Sequence, residues 1–131
     1  MAELQFHHPD VTVRPCEFGW GVFATADLPA ETVVERAPFL ILDPVDAGNP
    51  PLNDYVFTVT HNSRSALAGQ RALVLGWGSL FNHADPPNVE HRLRLKQRLF
   101  EFVTTRAVTT GEQLFVSYGE AWWAGRGRAP R

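Results

Sequence analysis

A single cysteine, Cys16, leaves the chain without an internal disulfide and without the thiolates of a cysteine-rich zinc site. Lysine is as scarce, with Lys96 standing alone against eleven arginines. The formal net charge is -2, so the basic excess of a nucleic-acid-binding surface is missing and no direct nucleic-acid contact is expected. The five histidines form no H-x-x-x-H pair, and no metal site is expected. No apolar run approaches the roughly 20 residues of a membrane-spanning helix. The opening MAELQFHHPD has neither the basic nor the apolar region of a signal peptide. These absences predict a soluble, cytoplasmic protein of a reducing compartment, with no membrane partner.

The 131 residues, 44% of them hydrophobic, suffice for the core of one domain, and neither repeats nor a long linker divides them. The core is expected over about residues 11–123, with 124–131 as a flexible tail. Basic residues gather at 92–98 and 126–131, which reads as a solvated strand face and a frayed end.

The local signals are those of strands. VTVR (11–14), GVFAT (21–25), DYVFTVT (54–60) and RALVLG (71–76) are short, β-branched or apolar runs. ETVVERAPFLIL (31–42) reads as two strand-like runs broken by Pro38, because a central strand does not tolerate proline. In VEHRLRL, Val89, His91, Leu93 and Leu95 share one face and Glu90, Arg92 and Arg94 the other. Residues 96–98 form the turn from which LFEFVTTRAV (99–108) returns, and LFVSY (114–118) is a last strand. Turns near 65–70 and 77–82 are the only helical candidates. Many short strands between Gly and Pro turns predict a mostly-β domain.

Three stretches carry chemistry. FGWGVFATADLPAET (18–32) places Gly19 and Gly21 around Trp20, where backbone can approach a ligand or simply turn. GSLFNHADPPNVEHR (78–92) sets Asn82 and His83 directly behind an apolar segment and stiffens the adjoining loop with Pro86 and Pro87. By itself that pair reads as a capped turn with satisfied side chains. A catalytic pairing of His83 with Asp85 lacks a nucleophile, and a metal at His83 lacks other ligands. TGEQLFVSYGEAWW (110–123) ends a strand at Tyr118, which either reaches a cleft or packs in the core.

In this order the three stretches resemble the SET-domain protein lysine methyltransferases. GWGVFA resembles the first glycine motif of that family, LFNHADPPNVE its R-F-x-N-H-S-x-x-P-N motif and GEQLFVSYG its G-E-E-L-x-x-x-Y motif. DYVF followed by LGWGSLFNH resembles the compact viral and bacterial members without pre-SET or post-SET modules, and the likeness runs from about Val11 to Trp123. The resemblance implies a SET (β-clip-like) fold of short strands in small sheets, with the Asn-His segment and the terminal-tyrosine segment threaded past one another in a knot-like way. It implies S-adenosylmethionine as cofactor, with Asn82 at its amino-acid end, the backbone of His83 at its adenine, and Gly19, Trp20 and Gly21 lining it. Tyr118 matches the catalytic tyrosine and Tyr55 a tyrosine of the lysine channel, also counted as catalytic. Trp122 is assigned to the channel and Trp123 to the cofactor, as residues that close the channel or cover the adenine.

The implied reaction moves a methyl group in line from a sulfonium to a lysine ε-amine in a protein or peptide, such as a histone-like tail. Lysine must first lose a proton, against an unperturbed pKa of about 10.4, helped by a neighbouring cation and an apolar channel. Orientation and electrostatics then carry the catalysis. Ala84 stands where the motif has serine, Trp20 and Trp122 where relatives carry tyrosine, and no cysteine cluster comes after Tyr118. The alternatives are a SET-fold binding module with weak catalysis and a β-rich small-molecule-binding domain related in fold only. The compact viral relatives pair as homodimers. A homodimer is expected here through the 89–108 hairpin, with Arg92, Arg94 and Arg98 setting its register against acids across the axis.

Overall fold

The computed structural model describes residues 6–59, 69–94 and 96–118. After a two-residue strand β1 (Phe6–His7), β2 (Val11–Cys16) folds back on β3 (Gly19–Ala24), with Val11 opposite Ala24 and Cys16 opposite Gly19. The inward residues Val11, Val22 and Ala24 are buried, which is what the alternation at 11–14 and 21–25 anticipates.

The run at 31–42 forms one strand, β4 (Val33–Leu42), rather than two. Pro38 stays within it because β4 changes partners there. Up to Pro38 it pairs with β9 (Leu99–Thr104), and from Phe39 on with β6 (Arg71–Val74). The missing N–H falls at this handover, while the Pro38 carbonyl accepts from Leu75 N at 2.9 Å. A single-turn helix that sequence reasoning missed, α1 (Pro44–Ala47), comes next. Asp43 caps it by accepting from Val45 N at 2.8 Å, and proline fits its first turn.

A 3-10 turn (Leu52–Asp54) leads into β5 (Val56–Thr58), and a second (Gly78–Leu80) into β7 (Asn82–His83). The β8 strand (Val89–Arg94) returns through the expected turn to β9, and β10 (Gln113–Val116) closes the described chain. The return strand stops at Thr104 rather than at 108, and Val108 instead bridges to Leu28. The turn expected at 65–70 lies largely outside the described residues.

Two sheets result. One runs β5-β6-β4-β9-β8, with β1 also paired to β4; the other runs β2-β3-β10-β7. The domain is mostly β, as expected. Its core joins Phe81, stacked on Phe102 at 4.7 Å, to an aromatic group of Phe57, His91 and Phe100. Burial in that group lowers the His91 pKa, opposed by the nearby Glu90 charge. Arg94 and Arg36 both bond the buried Glu101, at 2.8 and 2.9 Å, and Arg92 bonds Glu90 and Glu31. Two of the arginines assigned to an intermolecular register are therefore engaged with acids of their own chain. No described helix is long and apolar enough to cross a membrane.

Candidate active site

The approach to Asn82 is fixed by packing. A Cβ at Gly78 would lie 2.3 Å from Val74 Cγ1 and 3.1 Å from Phe102 Cζ, so glycine alone lets this turn rest on the core. Ser79 Oγ lies 3.1 Å from the carbonyls of Val74 and Tyr55, which ties Tyr55 to the same turn. Tyr55 is itself 48% exposed. Phe81 is buried and anchors the next step.

Strand β7 then runs parallel to β10, with Asn82 opposite Phe115 and His83 opposite Val116. The Asn-His segment and the segment leading to Tyr118 are thus side by side. Asn88 secures the return of the loop. It is 2% exposed, donates from Nδ2 to the Gln113 carbonyl at 2.9 Å, and accepts at Oδ1 from Phe115 N at 2.7 Å. Its side chain thereby acts as an extra strand residue beside β10, which the stiff Asp-Pro-Pro approach prepares.

Around this frame the polar groups converge. Asn82 Nδ2 donates to the Trp20 carbonyl at 2.8 Å and to Gln113 Oε1 at 2.9 Å, with Cys16 Sγ at 3.6 Å. His83 Nδ1 accepts from Tyr118 N at 3.0 Å, and the two rings lie 5.3 Å apart. The Tyr118 hydroxyl donates to the Phe81 carbonyl at 3.0 Å. The structure therefore brings together Gly19, Trp20, Gly21, Asn82, His83 and Tyr118, and attaches Tyr55 through Ser79. Trp122 and Trp123 lie outside the described residues. Trp20 keeps 55% of its surface exposed, and its carbonyl meets the Asn82 amide. A cleft of about 670 Å³ bordered by Leu42, Pro44, Ala47 and Arg71 shares no residue with this site. Its lining also includes Asn53 and Gln70.

Two residues escaped sequence reasoning. Gln113 was marked only by GEQ where the family motif reads G-E-E. Glu35 lies in phase with the buried Ala37 and Phe39 on the inward face of β4, a signal that its charge obscured. It is fully buried beneath the turn before Asn82, accepting from Trp77 N at 2.7 Å and lying 2.6 Å from His7 Nε2. The His7 ring stacks on Trp77 at 4.0 Å. Burial pushes the Glu35 carboxyl up to about 8, against the pull of the Trp77 N–H, and burial also lowers His7. Both shifts favour the neutral forms, a carboxylic acid beside an imidazole.

Two parallel strands, one carrying Asn-His and the other leading to a terminal tyrosine, closed by a G-x-G hairpin, define a SET domain. The SET domain family profile matches residues 19–119, and the chain belongs to that family. A Schizosaccharomyces pombe histone-lysine N-methyltransferase specific for H3 lysine-37 is 32% identical over 109 residues, covering 80% of this chain and 69% of that protein. A crystal structure of a Plasmodium falciparum protein assigned to the histone methyltransferases superposes with a TM-score of 0.67 at 21% identity. It covers 88% of this chain and 98% of that one, a likeness of fold.

Proposed function

We propose that this SET-domain protein-lysine methyltransferase uses S-adenosylmethionine and acts on a lysine of a protein or peptide, with a histone-like tail as the first substrate to test. The observation that carries the reading is the Asn82 amide. Its nitrogen is committed to the Trp20 carbonyl and Gln113. Its oxygen accepts from no described residue and suits an ammonium such as that of the methionyl end. The exposed Trp20 ring offers an apolar face for an aromatic base. These residues fit the cofactor, which when bound supplies a methyl group on a sulfonium.

The remaining chemistry belongs to the chain. The Tyr118 hydroxyl has its proton engaged by the Phe81 carbonyl. Toward an incoming amine its oxygen acts as an acceptor, which orients the amine without protonating it. Tyr55, tied to the same turn, contributes a channel wall. His83 holds the Tyr118 backbone and so the direction of that hydroxyl. Trp122 and Trp123 are assigned to the channel and the adenine cover.

The protein works as a homodimer in this reading. Support comes from β8, the edge strand of the larger sheet, whose outer backbone groups suit pairing with a second copy. Sedimentation equilibrium at micromolar concentration tests this, and a monomer with full activity excludes it.

Calorimetric titration with S-adenosylmethionine, followed by mass spectrometry of histone H3 incubated with both, tests the function. Binding with methylated lysine is expected. Binding without turnover on any lysine protein would favour a binding module, and no binding would defeat the reading.

A further inference from the structure

The Asn82 side chain has a carbonyl and an amide end of nearly equal size, and only its hydrogen-bond partners decide which end faces the ligand. The Trp20 carbonyl can only accept, so it demands Nδ2. One N–H contact still leaves the amide free to rock about its terminal torsion. The second oxygen contact, to Gln113 Oε1 at 2.9 Å, restrains the plane, with Cys16 Sγ at 3.6 Å as a weaker third acceptor.

Gln113 is itself tightly specified. Its main chain sits in β10 opposite Phe23, and its carbonyl accepts from the buried Asn88 at 2.9 Å. The space its side chain crosses is cleared by Gly21, where a Cβ would lie 2.6 Å from Oε1. The close approach at the second glycine of the G-x-G motif thus makes room for a side chain of the chain itself. In the register of the family motifs, Gln113 stands where G-E-E-L has its second glutamate, and Ser79 where R-F-x-N-H has its arginine. Both positions are neutral here, and the amide of Gln113 is spent on Asn82.

We infer that Gln113 is a positioning residue for the cofactor site: it locks Asn82 with both amide hydrogens occupied, so that Oδ1 alone is presented to the cationic amino group of the ligand. The inference rests on the proposed use of S-adenosylmethionine. In this chain the specificity for an ammonium at that end comes from a pair of side-chain amides and not from Asn82 by itself.

The test combines a property of the ligand-free protein with an affinity. In 1H–15N spectra of the ligand-free protein, the Asn82 side-chain amide should show slowed hydrogen exchange that is lost in Gln113→Met, which keeps length but offers only a weak thioether acceptor. Gln113→Glu keeps an acceptor and should restore it. Calorimetric S-adenosylmethionine affinity should fall about tenfold in Gln113→Met and stay within about threefold in Gln113→Glu, the scale of one hydrogen bond. In an Asn82→Ala background Gln113→Met should weaken binding no further, because it acts through Asn82. Equal losses in the two backgrounds, or an unchanged Asn82 amide in Gln113→Met, would overturn the inference. If the wild-type protein binds no S-adenosylmethionine, the functional reading fails, and the amide exchange still decides whether Gln113 locks Asn82.

Discussion

The Tyr118 hydroxyl donates to the backbone carbonyl of Phe81 at 3.0 Å, across 37 residues of chain. Phe81 is stacked on Phe102, so the acceptor belongs to the rigid core and the hydroxyl inherits its position. Tyr118→Phe removes that oxygen and keeps the ring. Cofactor affinity should remain near the wild-type value, while the single-turnover rate falls roughly 10²- to 10³-fold, as for loss of one preorganised group. An unchanged rate would reduce Tyr118 to packing.

Asn82→Ala takes away the group of the Asn82–Gln113 pair that is proposed to meet the cofactor. S-adenosylmethionine binding should weaken by about 1–3 kcal/mol, the scale of a lost buried hydrogen bond. Wild-type affinity in a folded variant, by calorimetry, would exclude this role.

Asn88 is buried and saturates two backbone groups of β10. Asn88→Ala strands both the Gln113 carbonyl and the Phe115 N–H. Stability should drop by about 2–4 kcal/mol in urea denaturation, above the ordinary cost of a surface change. A loss under about half a kcal/mol would mean that water replaces the amide there.

Gly78→Ala forces a methyl group against Val74 and Phe102. Overpacking of this kind costs about 1–3 kcal/mol, and the shift should pass along the turn to Asn82. Both the melting temperature and the cofactor affinity are expected to fall, and a variant that changes neither would show the turn to be compliant.

Burial raises the Glu35 carboxyl to about 8, which favours its neutral form below that pH. A raised folded-state pKa contributes stability that is fully present below the unfolded value, near 4.5, and is lost as pH rises through about 8. His7, lowered by burial, acts in the opposite sense, but only below its ordinary value of 6.5. Between about pH 6.5 and 8.5 Glu35 is therefore the group that matters, and wild-type stability should fall by on the order of 1–2 kcal/mol. Glu35→Gln cannot ionise and should flatten that slope. A slope equal in both proteins would place the titration elsewhere.

What the amino-acid sequence determined by itself was periodicity and motif. The alternation at 89–94 and 11–14 is a local signal written within a few residues and predicted the β class and most strands, while the glycine, Asn-His and terminal-tyrosine motifs named, through their resemblance to a family, six residues that the fold brings together. Where the outcome depended on distant partners, the sequence was silent or misleading. Pro38 is tolerated in a central strand because β4 exchanges β9 for β6 at that residue. Glu35 shares the inward face of β4 with Ala37 and Phe39, and burial against β1 and the Trp77 turn favours its neutral form. Gln113 gained its task from a hairpin that arrives from residues 11–24 and leaves space at Gly21. Hydrogen-bond saturation and desolvation belong to the assembled neighbourhood, so only the tertiary structure decided which amide end Asn82 presents and which carboxyl stays protonated.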